Sequence, residues 1–164
     1  MLFPSLQLVK NILYSKLSLA ITNLKIEDES KLYEACAFNL NKERIIYRKA
    51  KITPTKIGQF ATLWKREGKE PIKPFEETDT FDVIIITVQT QELLGQFIFP
   101  KTILIEKGIL STEKKEGKRA IRVYPSWDKP TSQQALKTQK WQLNYFHLIK
   151  SGNTTYIEKA NNLY

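Results

Sequence analysis

The sequence contains one cysteine, one histidine and one methionine, and each scarcity removes a class of chemistry. With Cys36 alone there is neither an intramolecular disulfide nor a CxxC pair for zinc or dithiol exchange, which fits a reducing, cytoplasmic setting. Its surroundings, Ala35-Cys36-Ala37-Phe38, make it a small core residue rather than a nucleophile. His147 alone excludes a histidine-rich metal centre, and a Cys36–His147 dyad has nothing behind it but the presence of both residues. GxGxxG, Walker-type and GxSxG sequences are absent, so nucleotide-cofactor and hydrolase-elbow chemistry has no support. No cofactor and no metal site is expected.

Long apolar runs are missing as well. Met1 to Ile26 is fairly apolar, but Lys10 and Lys16 interrupt it and no small-residue cleavage site follows. It reads as an N-terminal amphipathic helical segment, residues 1–26, with no insertion into a membrane. Six glycines and seven prolines are too few for a disordered or fibrous chain. Without repeats or linkers, 164 residues at 41% hydrophobic content describe one domain, 1–164, with a continuous core.

What the sequence does have is positive charge, +9 in all. Seven basic residues and one acid lie between Arg48 and Lys69, and eight basic residues and two acids between Lys114 and Lys140, so each segment carries +6 and the remainder of the chain −3. Such a partition predicts basic patches suited to a polyanion. The simplest expectation is that Lys51, Lys56, Lys65, Arg66, Lys118, Arg119 and Arg122 share one face.

Local patterns place these residues on elements of an α+β fold. Leu32–Leu40 and Arg44–Ile52 form a hairpin around Asn41-Lys42. Thr53 to Arg66 has a capping threonine, a proline and an apolar stripe of Ile57, Phe60, Ala61 and Trp64, which predicts a helix. Residues 68–80 form an exposed connector. The near-continuous apolar runs Phe81–Val88 and Gly95–Phe99 suit strands covered on both faces, and Lys118–Tyr124 is a basic strand. A last helix from Thr131 to about Lys150, with Gln134 completing a capping box, puts Ala135, Leu136, Leu143 and Phe146 on one face and Lys137, Trp141 and Tyr145 on another.

Four ordered blocks are similar to a known family. Ala50-Lys51-Ile52-Thr53-Pro54-Thr55-Lys56-Ile57-Gly58-Gln59-Phe60 with Leu63-Trp64-Lys65-Arg66, then Gly95 to Lys101, Gly117 to Pro125, and Lys137 to Gln142 together resemble the MepB-like proteins. The resemblance implies a mixed β-sheet flanked by helices, like the restriction-endonuclease-like core of the PD-(D/E)xK superfamily, many of whose members handle nucleic acid.

A nuclease of that type needs an aspartate and a second carboxylate on adjoining strands, with a lysine two residues after the second. Asp82 can serve as the first only. Phe99 stands where the second acid should precede Lys101, and the basic strand at Lys118–Arg119 contains no acid. Acid-x-Lys triplets at Glu29, Glu67, Glu113 and Glu116 fall in predicted turns or element ends. Nonspecific, non-catalytic binding of DNA, single strands included, asks only for cations and aromatic surfaces. The candidate binding residues are Lys51, Lys56, Lys65, Arg66, Lys101, Lys118, Arg119, Arg122, Tyr124, Trp127, Lys137, Lys140 and Trp141. The alternatives are a metal-dependent nuclease using Asp82, and a regulatory module whose basic surface docks an acidic protein.

Overall fold

The computed structural model describes residues 1–158 and 163–164. Helix α1 (Pro4–Ile12) and a 3-10 turn (Tyr14–Leu17) lead into β1 (Ile21–Ile26), then β2 (Cys36–Leu40), β3 (Glu43–Lys49), β4 (Lys51–Ile52), β5 (Gln59–Thr62), β6 (Trp64–Lys65) and β7 (Lys73–Pro74). The second half comprises β8 (Val83–Gln89), β9 (Leu93–Pro100), α2 (Lys101–Glu106), β10 (Ala120–Val123), α3 (Gln133–Gln142), β11 (Phe146–Ser151) and β12 (Thr154–Thr155). None of the described helices is long and apolar enough to cross a membrane. The fold is α+β.

Seven strands form the main sheet in the order β1-β2-β3-β8-β9-β11-β12. Neighbours are antiparallel except β3 and β8, which run parallel from Ile45 opposite Val83 to Lys49 opposite Thr87. The β2–β3 hairpin turns where the sequence places it, with Asn41 in the left-handed region at φ 52°, a conformation asparagine tolerates well. β8 and β9 are buried along nearly their whole length, as runs apolar on both faces require.

Three predicted helical stretches differ. The N-terminal segment is helical only to Leu17. From Ile21 the chain adds to the edge of β2 as β1, with an irregularity between Thr22 and Lys25 around Asn23 at φ 54°. The stretch from Thr53 to Arg66 is a bend followed by β5 and β6. Its burial alternates, with Gln59, Ala61 and Leu63 inside and Phe60 and Thr62 half-buried, so the period is that of a strand. Helix α3 is capped by Ser132, whose Oγ accepts from the Ala135 N–H at 3.1 Å, and it stops at Gln142. The chain then joins the sheet as β11, Phe146 opposite Phe97. Leu136 and Leu143 are exposed, at 42% and 36%, while Trp141 and Tyr145 pack on Phe99, so the aromatic face of α3 is the one that docks.

One face of the sheet carries Cys36, Phe38, Ile45, Tyr47, Ile85, Ile98 and Ile149 under α1, which contributes Leu6, Val9 and Leu13. Burial pushes the Cys36 thiol up to about 12, so it stays neutral. The other face carries Ile84, Ile86, Val88, Phe97 and Phe99 beneath Ala61 and Leu63, α2 and β10. Across the α1 side runs a buried polar chain. Glu34 bonds the Ser5 N–H and hydroxyl, Ser5 Oγ meets Tyr47 Oη at 2.7 Å, and Tyr47 Oη meets Thr87 Oγ1 at 2.6 Å. Gln96 Nε2 donates to Thr87 Oγ1, and Gln96 Oε1 accepts from Tyr14 and Tyr164 at 2.8 and 2.6 Å.

Burial raises the phenols of Tyr14, Tyr47 and Tyr164 above their ordinary value of 10.0. A folded pKa above the unfolded one gives stability that is complete below the unfolded value and is lost as pH rises toward the folded value. Denaturant midpoints should therefore fall once pH exceeds about 10, and Tyr14→Phe should lessen that slope.

Candidate functional site

On the face opposite α1, β10, β5 and β4 form a small antiparallel sheet. Paired residues point to the same side, so Gln59 and Ala61 with Val123 and Ile121 face the core, and Lys51, Phe60 and Arg122 make an outward row. Cations and rings alternate along it. Lys51 Nζ lies 5.4 Å from the Tyr33 ring centre, Tyr33 meets Phe60 edge-on, and the Arg122 guanidinium lies 5.8 Å from the Phe60 ring centre. Gly58, at φ 87°, brings its backbone onto the Tyr124 ring, where an added Cβ would stand 2.8 Å from two ring carbons. Only glycine fits there.

Among the described residues no strand neighbours the outer edge of β10. Its place is taken by the side chain of Gln142, fully buried, whose Oε1 accepts from the Tyr124 N–H at 2.9 Å and whose Nε2 donates to the Arg122 carbonyl at 3.0 Å. One turn earlier, Gln139 Nε2 donates to the carbonyls of Pro125 and Asp128. These amides fix α3 beside the strand.

Between β10 and α3 lies a groove of about 390 Å³. Its charged lining residues are Lys56, Lys107, Lys118 and Arg122, with no acid among them, and Ile109, Ile121, Tyr124 and Trp141 provide apolar surface. A second hollow of about 290 Å³ shares Lys56, Arg122 and Tyr124 and extends it past Pro130. The Trp141 ring is held between Phe99, at 5.4 Å, and Lys107 Nζ, at 5.6 Å. Arg122 Nη1 donates to Thr53 Oγ1 at 3.0 Å, which ties the bend after β4 to the groove.

The structure thus brings Lys56, Lys118, Arg122, Tyr124 and Trp141 together, with Lys51 beside them on the outward row. The others have partners of their own or lie outside the groove lining. Lys65 is ringed by Asp79 at 2.6 Å, Glu76 at 2.8 Å and Glu67 at 3.3 Å. Desolvation opposes its charge, but these carboxylates prevail and raise its pKa. Arg66 pairs with Glu29 at 3.1 Å, Arg119 with Glu116 at 2.8 Å, and Lys101 bonds the Asp79 carbonyl and lies over Phe81. Trp127 packs edge-on against Phe146 in the core. Lys137 and Lys140 are exposed on α3 outside the groove lining. Several of the basic candidates are therefore neutralised locally, and the supposed connector after Gly68 supplies two of the three acids around Lys65, Glu76 and Asp79.

Lys107 was not among the sequence candidates. It follows α2 in a stretch where Glu106 balances it, and only the packing of α2 against Trp141 reveals its place. Asp82 receives hydrogen bonds from the Arg44 N–H, Nε and Nη2 at 2.8, 3.0 and 2.9 Å, which hold its carboxyl down at about 2. β9 carries no acid opposite it, and Phe99 is fully buried against Phe97 and Trp141.

Replacing Gln142 by leucine keeps the volume and strips two partly buried backbone groups of their partners. The expected loss is about 1–3 kcal/mol for each group, or about 2–4 °C of melting temperature per kcal/mol for a chain of this length. A thermal melt of the variant checks this, and an unchanged melt would mean that the edge of β10 is satisfied otherwise.

A sequence profile of the MepB-like family matches residues 27–148. No curated protein matches at a significant level. Among solved structures, the crystal structure of MepB aligns over 90% of this chain and 97% of its own, at 37% identity and a TM-score of 0.77. A bacterial homing endonuclease aligns over 86% of this chain and 87% of its own, at 13% identity and a TM-score of 0.47. On the profile match and the likeness to MepB, the chain belongs to the MepB-like family.

Proposed function

We propose that this protein binds nucleic acid, DNA and single strands in particular, by laying the sugar–phosphate backbone in the groove between β10 and α3, and that it does so without cleaving it. One observation carries the reading: four cations converge on the groove and, among the described residues, no carboxylate lines it, although the chain has 17 acids. Phosphates entering such a groove release condensed counterions, which is the main source of nonspecific affinity. Trp141 is clasped between Phe99 and Lys107, and Tyr124 lies on Gly58. Their rings are therefore better placed to support a backbone or one stacked base than to read a sequence. Binding rather than hydrolysis is favoured by Asp82, which is engaged with Arg44. The single reduced thiol makes a cytoplasmic setting part of the same proposal.

Titration of single-stranded and duplex DNA over a salt series tests the reading. Lys107→Ala and Lys118→Ala should each weaken binding and reduce the slope of log K against log salt by about 0.7 on a single strand. Lys65→Ala, whose lysine is already surrounded by acids, should leave the slope unchanged. Loss of affinity in the Lys65 variant alone would move the interface elsewhere.

Labelled DNA incubated with the protein and magnesium or manganese is expected to remain intact. Cleavage that disappears in Asp82→Ala would replace the binding role with hydrolysis.

A further inference from the structure

A second cavity, of about 400 Å³, lies away from the groove, lined by the loop 27–30, Arg48 of β3, and Trp64, Arg66 and Phe75 of the following segment. Arg48 is its unusual member. Only 2% of the residue is exposed, and among the described residues it forms no ion pair. Nε donates to the Thr62 carbonyl at 3.1 Å, Nη1 donates to the Tyr47 carbonyl at 2.8 Å, and the guanidinium lies 5.7 Å from the Phe75 ring centre. Nη2 has no acceptor among the described residues. Burial lowers the pKa of Arg48 to about 10, with the more distant Glu27 acting in the opposite sense, so the group stays charged at neutral pH. A buried cation with no direct ion pair is costly, and an anionic oxygen on Nη2 would offset that cost.

The rest of the lining decides what else such a ligand carries. Arg66 is engaged by Glu29 and by the Glu70 carbonyl, and Lys65 by its three carboxylates. Neither is open to a second anion. Glu27 and Asp28 also line the cavity, and among the described residues their carboxylates have no hydrogen-bond or ion-pair partner. The cavity therefore offers one guanidinium nitrogen on its buried side and two carboxylates on its more open side, with Trp64 and Phe75 as apolar walls. A phosphate ester or nucleotide would bring a second negative charge toward those carboxylates. A molecule with one anionic and one cationic end matches both.

We infer that this cavity binds a small zwitterion of the amino-acid type, its carboxylate on Arg48 Nη2 and its ammonium group toward Glu27 and Asp28. The site is independent of the groove, and its failure would leave the nucleic-acid reading untouched.

The test uses the full chain with free proteinogenic amino acids as probes, read by thermal shift and by calorimetric titration, with acetate, methylammonium and inorganic phosphate as single-charge or wrong-charge comparisons. At least one amino acid should raise the melting temperature saturably and bind tenfold or more tightly than acetate or methylammonium. Asp28→Asn and Glu27→Gln, which alter only the more open side, should remain folded and weaken that binding when combined by tenfold or more. Arg48→Lys, which keeps a cation but moves its donors, should weaken it further. The inference is overturned if no amino acid binds saturably, if phosphate binds more tightly than every amino acid, or if the combined Glu27 and Asp28 variant binds as the parent does.

Discussion

The parallel pairing of β3 with β8 is the constraint on which the rest of this molecule depends. Two parallel neighbours cannot be joined by a tight turn, so the chain leaving Lys49 must cross a face of the sheet before returning at Val83. In many α/β proteins a helix makes that crossing. Here the crossing segment contains β4 to β7, and β5 finds its hydrogen bonds with β10 rather than with the main sheet. The crossover thereby becomes a second, smaller layer that covers Ile84, Ile86 and Phe97 and carries a cationic outer surface. Both the groove and the Arg48 cavity exist because this layer is a sheet with open margins.

How much of this was legible in the sequence depends on whether the governing partner was local. The β2–β3 hairpin was readable because Asn41 and its flanking apolar residues carry the turn themselves, and β8 and β9 because a strand buried on both faces needs an unbroken apolar run. The crossover was misread because Ile57, Phe60, Ala61 and Trp64 satisfy a helical spacing by coincidence. The true alternation, Gln59, Ala61, Leu63, places a polar residue inside and so conceals its period. β11 hid in the same manner, with His147 buried at 2% opposite Gln96. In both places pairing with a distant strand overrode a local preference.

The candidate site was partly readable for a related reason. Lys56, Lys118 and Arg122 were visible as members of two basic segments, but counting charge along a chain does not show what stands opposite each charge in space. Arg66 meets Glu29 from 37 positions away, and Lys65 meets Glu76 and Asp79 across a turn, so two of the strongest cationic candidates are locally neutralised. Lys107 is the converse case, unremarkable in sequence and placed over Trp141 by packing. Arg48 was counted only as one charge among seven, whereas its burial beneath the crossover, with no ion pair among the described residues, makes its charge costly to hold.

Gln142 bears on a different matter, the solubility of the folded chain. A strand edge with unpaired N–H and C=O groups is a template for the strand of another molecule. By satisfying Tyr124 N–H and the Arg122 carbonyl from a helix, the glutamine occupies the positions an incoming strand would need. The same two bonds that hold α3 in place thus act as a guard against edge-to-edge polymerisation, and the helix would have to lift away before one copy of the protein could recruit another through β10.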